Sequence, residues 1–156
     1  MAVDPVITWM CDRINHRGPD DTGCWIDQST GLALGHTCLS IFDLSPAGHQ
    51  PMLAACKRYI LAFNEEIYNH LALRAQLPAE EKAPLWRGHS DTETLLAGFA
   101  TWGAERTLQA TVGMFAIASW GKQEQVLTLA RDRMGDKPLY WGWCDDVLCS
   151  ALSQKR

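Results

Sequence analysis

From residue 114 to residue 150 the sequence offers short apolar runs, one after another, with turn residues between them and no helical spacing intervening. The spacing predicts strands over 114–120, 125–131, 139–143 and 147–150, separated by Gly121, the turn from Gly135 to Pro138, and Asp145-Asp146. Strands grouped in this way, without strand-helix-strand alternation, argue against a parallel sheet and for antiparallel sheets covered by helices. The fold class predicted is α+β.

The earlier part of the chain supplies the helices. Asp4-Pro5 followed by Val6, Ile7, Met10 and Ile14 repeats apolar residues at helical spacing, with Asp4 as the expected N-cap and Pro5 at the first helical position. A polar break over 16–21 follows. Segments 24–26 and 32–34 then flank a Ser29-Thr30-Gly31 turn as a hairpin, 41–52 reads as a loop with two prolines and one histidine, and 58–63 reads as a buried strand. Helices are predicted over 69–77 and 91–102, the second opened by Ser90 and Glu93 as a capping box.

Composition narrows the function classes. At 156 residues the chain has the size of one domain and can bury a core without staples. Fourteen basic against eighteen acidic residues give a net charge of -4, and no basic run could neutralise a row of phosphates, so nucleic acid is not expected as a partner. Six cysteines stand without a CxxC pair and no cationic, apolar leader opens the sequence, which predicts reduced thiols and a cytoplasmic protein. No run approaches the ~18 apolar residues of a membrane span.

Six motifs occur in a fixed order: His16-Arg17-Gly18-Pro19-Asp20-Asp21, Gly35-His36-Thr37-Cys38-Leu39-Ser40-Ile41-Phe42-Asp43-Leu44-Ser45, Gly48-His49-Gln50-Pro51-Met52, Phe63-Asn64-Glu65-Glu66-Ile67-Tyr68-Asn69-His70, Gly88-His89-Ser90-Asp91-Thr92-Glu93, and Ala130-Arg131-Asp132-Arg133 through Gly135-Asp136-Lys137-Pro138-Leu139-Tyr140. Together they resemble the class II glutamine amidotransferase domain of the glutamine-hydrolysing asparagine synthetases, over most of the chain. The resemblance implies an N-terminal-nucleophile hydrolase fold, a four-layer αββα sandwich, and hydrolysis of glutamine to glutamate with ammonia passed to an ATP-using synthetase domain. That second domain should carry a Ser-Gly-Gly phosphate loop. No such sequence occurs within residues 1–156, so the expectation is one amidotransferase-type domain without its synthetase.

The resemblance also assigns roles. The family's nucleophile is a cysteine at the first position of the processed chain, whose own α-amine, titrating near ~8, serves as base. Here the sequence opens Met1-Ala2-Val3, so the nucleophile and the family's opening strand are expected to be missing. At Cys38 the family has an arginine that holds glutamine's α-carboxylate through two parallel charge-assisted hydrogen bonds, which a thiol cannot replace. Asn64 matches the side-chain donor of the oxyanion hole, and Glu65 stands where a glycine N–H completes it. Leu39, Ile41, Glu66 and Asp91 match retained pocket positions, with Asp91 and Glu66 holding the substrate's α-amine and nearby groups. The frame of the pocket is thus expected to persist without an intact catalytic apparatus.

Taken singly, several of these residues have plainer readings. Asp91 suits the first turn of a helix whatever it binds. Cys38 has no cationic neighbour in sequence to activate it and reads as a small filler residue. Five histidines match no familiar metal-ligand spacing, so neither metal nor cofactor is expected. Most of the seven tryptophans are expected in the core, with Trp86 and the Trp141/Trp143 pair as candidates for exposure and protein contact. Three functions follow: an inactive domain acting through protein contact, by homodimerisation or a partner chain completing a sheet edge; a degenerate pocket for an amine-bearing, amino-acid-like ligand; or active glutamine hydrolysis if an N-terminal cysteine segment precedes residue 1.

Overall fold

The computed structural model describes residues 3–38, 49–77 and 86–152. Two compact units divide the chain, Met1–Met52 and Leu53–Arg156. Leu39 and Ile41 lie outside the described residues, as does most of the predicted 41–52 loop.

In the first unit, helix α1 (Val3–Ile14) is followed by a 3-10 turn (Asn15–Arg17) and the antiparallel hairpin of β1 (Asp21–Asp27) and β2 (Leu32–Cys38), in register from Asp21↔Cys38 to Asp27↔Leu32. Ile7 and Cys11, one turn apart on α1, are buried, as is Leu34 of β2. The hairpin turn forms as its residues dictate. Asp27 Oδ1 accepts from the Ser29 N–H at 3.0 Å, and Gly31 takes φ 68°, a conformation costly for other residues. Asp4 is not the cap. The helix starts at Val3, leaving Asp4 in the first turn, where its carboxylate still faces the favourable end of the helix dipole.

The second unit is built on a four-stranded sheet in the order β3-β4-β5-β6, with β3 at Met52–Leu53, β4 at Tyr59–Ile67, β5 at Gly113–Gly121 and β6 at Val126–Arg131, the last three antiparallel. Five consecutive strand residues from Tyr59 to Phe63 are buried, and so are Phe115, Ala116, Ile117 and Ala118 of β5. Burial that ignores the period of two means both faces of these strands are covered. Helix α3 (Asp91–Trp102) packs Leu95, Leu96 and Phe99, each 2% exposed or less, and Phe99 meets Tyr59 edge to face at 6.0 Å. Between β4 and α3 lies α2 (His70–Gln76). After α3 comes α4 (Ala104–Ala110), brought close because Gly98 has no side chain: a Cβ there would stand 2.6 Å from Thr107 Cγ2.

A separate hairpin, β7 (Leu139–Cys144) and β8 (Val147–Leu152), ends the described chain. Trp141 and Trp143 are exposed as expected, but the expectation that most tryptophans lie in the core is corrected, since only Trp120 of the seven is buried. Trp120 is buried, but Trp141 and Trp143 are 65% and 68% exposed, Trp9 is exposed, and Trp25, Trp86 and Trp102 are half-buried. A two-stranded ladder has too little area on either face to bury rings of this size, whatever their intrinsic preference for the interior. No described helix is long and apolar enough to cross a membrane.

Candidate functional site

Four of the sequence-predicted site residues fall in the second unit, at the junction of β4 and α3. Asn64, Glu65 and Glu66 are successive residues of β4, opposite Ala116, Phe115 and Met114 of β5. Alternation along the strand puts Asn64 and Glu66 on one face; Asn64 is half-buried and Glu66 exposed. The backbone at Glu65 runs on through the regular ladder, and Glu65 is not among the non-glycine residues with positive φ. Nothing in the backbone therefore demands glycine here.

Asp91 joins this strand to the helix. Its Oδ2 accepts from the Ile67 N–H at 3.0 Å and its Oδ1 from the Thr92 N–H at 2.8 Å, so one carboxylate ties the last residue of β4 to the first turn of α3. Burial pushes its pKa above the ordinary carboxylate range; the two N–H groups and nearby His70 oppose that shift without cancelling it. The plain reading of Asp91 as a first-turn acid is thus incomplete, since the contact to Ile67 spans 24 residues.

Ser90 caps the helix as predicted, its Oγ accepting from the Glu93 N–H at 3.2 Å. The reciprocal half of the capping box is different. Glu93 instead accepts from the N–H groups of Arg87 at 2.6 Å and Gly88 at 3.0 Å, holding the segment that leads into α3. Arg74 completes this support: its guanidinium lies 3.7 Å from the Trp86 ring centroid and donates to the Gly88 carbonyl. Trp86 is accordingly half-buried rather than an exposed contact residue. Asn69 closes the other side, donating to the Ala110 carbonyl and accepting from the Val112 N–H.

His70 is a residue that the motif contained but its chemistry did not flag. It is half-buried, and its Nδ1 is buried without a hydrogen-bond partner. Its electrostatic coupling to Asp91 places an imidazole and a carboxylate in one polar cluster. Helical continuation from Asn69 was the sequence signal, but it could not show which way the ring would be buried.

Asp132 organises the turn after β6 in the same manner. Burial acts to raise its pKa, yet the N–H groups of Lys137, Asp136 and Phe115 outweigh burial and hold it below the ordinary range. Among the described residues no group of three or more His, Cys, Asp or Glu could hold a metal ion. A shallow groove of about 230 Å³ in this unit is lined by Phe115, Ala130, Arg131 and Arg133 among others, and contains none of the predicted site residues.

Cys38 belongs to the first unit, as the half-buried last residue of β2, where its carbonyl accepts from the Asp20 N–H at 3.1 Å. The second unit thus brings Asn64, Glu66 and Asp91 to one strand end and adds His70.

Residues 2–155 match a family described as the glutamine amidotransferase domain. Asparagine synthetase [glutamine-hydrolyzing] 1 of Bacillus subtilis is 38% identical over 152 residues, covering 97% of this chain and 23% of that protein. A putative asparagine synthetase [glutamine-hydrolyzing] of Mycobacterium bovis is 42% identical over 134 residues, covering 81% of this chain and 20% of that protein. The chain therefore spans about a fifth of the length of these curated relatives. Among solved structures, a glutamine phosphoribosylpyrophosphate amidotransferase from B. subtilis, in complex with ADP and GMP, matches 76% of this chain and 27% of its own with a TM-score of 0.60 and 21% identity. That likeness shows the fold, which is the α+β fold of the N-terminal-nucleophile hydrolases.

Proposed function

Since the chain belongs to the glutamine amidotransferase domain family, we propose that it retains the frame of a glutamine pocket, does not hydrolyse glutamine, and acts through contact with another protein chain. The single observation that carries the contact is the β7–β8 hairpin, where Trp141 and Trp143, on one face of β7, are 65% and 68% exposed. Large aromatic groups clustered on a surface are characteristic of binding sites, where their burial dominates the energetics. A second copy of the chain is the first occupant to test.

Loss of hydrolysis rests on two substitutions relative to the family pattern. Cys38 cannot replace a guanidinium that pairs with a carboxylate, and leaving that carboxylate unpaired costs about 2–5 kcal/mol of affinity. Glu65 stands where the family pattern has a glycine beside Asn64; its N–H is kept, and what it adds is a negative charge next to the position where an oxyanion develops, which disfavours that charge.

The contact is tested by light scattering of the purified chain over a range of concentrations, with Trp141→Ser/Trp143→Ser alongside. The expected result is a mass approaching twice 17.4 kDa for the wild type and a monomer for the variant. A wild type that stays monomeric at high concentration overturns the self-contact.

A second reading, a pocket for an amine-bearing small ligand, is favoured by Asp91, a buried carboxylate already held in place by two backbone N–H groups. Calorimetric titration with glutamine, glutamate and asparagine tests it. Saturable heat that disappears in Asp91→Asn supports this reading, and silence with all three removes it.

A further inference from the structure

Cys11 on the buried side of α1 and Cys24 in the middle of β1 bring their sulfurs to 3.8 Å, and no disulfide joins them. The arrangement depends on a third residue. Cys24 stands opposite Gly35 across the hairpin, and a Cβ at Gly35 would fall 2.4 Å from Cys11 Sγ and 3.1 Å from the Ile7 side chain. The missing side chain at Gly35 is therefore what admits the Cys11 thiol beside Cys24. The two thiols also differ in access: Cys11 is 3% exposed, whereas Cys24 is an exposed residue.

We infer that Cys11 and Cys24 close reversibly into a disulfide that ties α1 to the β1–β2 hairpin, by exchange with a low-molecular-weight disulfide such as oxidised glutathione. The sulfurs need to approach from 3.8 Å to a bonding separation of about 2 Å, within reach of side-chain rotation and a small helix shift. Cys24, as the accessible thiol, reacts first. It loses its proton to solvent, and the thiolate attacks one sulfur of the reagent; the reagent's S–S bond breaks, one glutathione leaves as a thiolate, and the other remains bonded to Cys24. Cys11, once deprotonated, attacks Cys24 Sγ and expels the second glutathione. Both departing thiolates are protonated, two electrons have passed from the protein to the reagent, and one S–S bond has been exchanged for another.

Burial, and next the charge on Cys24, push the Cys11 thiol up to about 12. In the mixed disulfide Cys24 carries no charge, so burial and the nearby Asp12 carboxylate remain to hold the Cys11 proton. Ring closure is thus the slow step, and it quickens about tenfold per pH unit while Cys11 stays mostly protonated. Of the other cysteines, Cys144 and Cys149 share the β7–β8 hairpin but are not opposite each other, since Cys144 faces Val147 and Cys149 faces Gly142. They serve as an internal control.

The test is incubation of the full chain in mixtures of oxidised and reduced glutathione, followed by acid quench, alkylation and peptide mass spectrometry. The expected result is loss of Cys11 and Cys24 from the six alkylatable thiols, with the bridge mapped to their two peptides and reversed by dithiothreitol. Cys11→Ser should retain glutathione on Cys24, and Gly35→Ala should slow closure at least tenfold. Glutathione held on Cys24 of the wild type beside an alkylatable Cys11, or a bridge that maps to other cysteines, overturns the inference. Mapping on the wild type decides the matter even if a variant does not fold.

Discussion

Replacing Asp91 by alanine removes one carboxylate and strands two backbone donors, and its cost can be worked from their surroundings. Ile67 is 1% exposed and Thr92 5% exposed, so neither N–H gains a water partner when the carboxylate is gone. Each hydrogen bond to a charged acceptor is worth about 1.5–3 kcal/mol. Against this stands relief of a carboxylate that burial already disfavours, as its raised pKa records. A net loss of about 2–4 kcal/mol follows, with Asp91→Asn at about 1–3 kcal/mol because the amide keeps one acceptor and turns an NH₂ toward the other donor.

The sign with pH can also be derived for this residue. A carboxylate whose folded pKa lies above its unfolded value binds more protons in the native state, so its contribution to stability falls as pH rises from the ordinary value of 3.8 through the folded value. The penalty for Asp91→Asn should therefore be largest at the acid end of that window and smaller at pH 7. Urea unfolding, followed by fluorescence of buried Trp120, measures both quantities. A loss below about 0.5 kcal/mol for Asp91→Ala, with unchanged m-value, would refute the reasoning that ties β4 to α3 through this side chain.

Asp132→Asn should cost about 2–4 kcal/mol at pH 7, because Asp132 accepts from three N–H groups, two of them in fully buried hydrogen bonds. Its folded pKa is depressed, so the contribution is present above 3.8 and lost as pH falls through the folded value; the gap between the urea midpoints of wild type and variant should narrow as pH is taken below 3.8. Gly98→Ala should destabilise by about 1–2 kcal/mol despite better helix propensity, since the new methyl meets Thr107 Cγ2, and thermal unfolding should show Thr107→Ser recovering part of the loss. Trp141→Ser should leave the urea midpoint almost unchanged, because the ring it removes is mostly solvated, while reducing any self-association seen by light scattering.

Sequence reasoning reached those parts of the molecule that local chemistry governs. Helix α3, its Ser90 cap, the Ser29-Thr30-Gly31 turn, and the grouped strands β5 to β8 all follow from side chains acting on their own backbone or on close neighbours. What it missed is tertiary. Glu93 carries the capping-box pattern but turns its carboxylate to Arg87 and Gly88, because the segment before α3 supplies two better-placed donors than the Ser90 N–H. Trp141 and Trp143 are exposed as their segment suggested, whereas Trp9, Trp25, Trp86 and Trp102 were expected in the core or in exposed contact and instead lie exposed or half-buried according to the packing around each. Asp91 was identified by its motif, whereas its bond to Ile67 and its neighbour His70 required the fold. The Cys11–Cys24 pair left no trace in sequence spacing, since it depends on a helix crossing a strand at a glycine.

Release of ammonia from glutamine by the purified chain tests the central claim most directly. With Cys38 and Glu65 in place, the account predicts no release above the buffer blank even at high glutamine. Glutamine-dependent turnover that saturates with substrate and scales with protein concentration would contradict it, and would return this domain to the ammonia-generating members of its family.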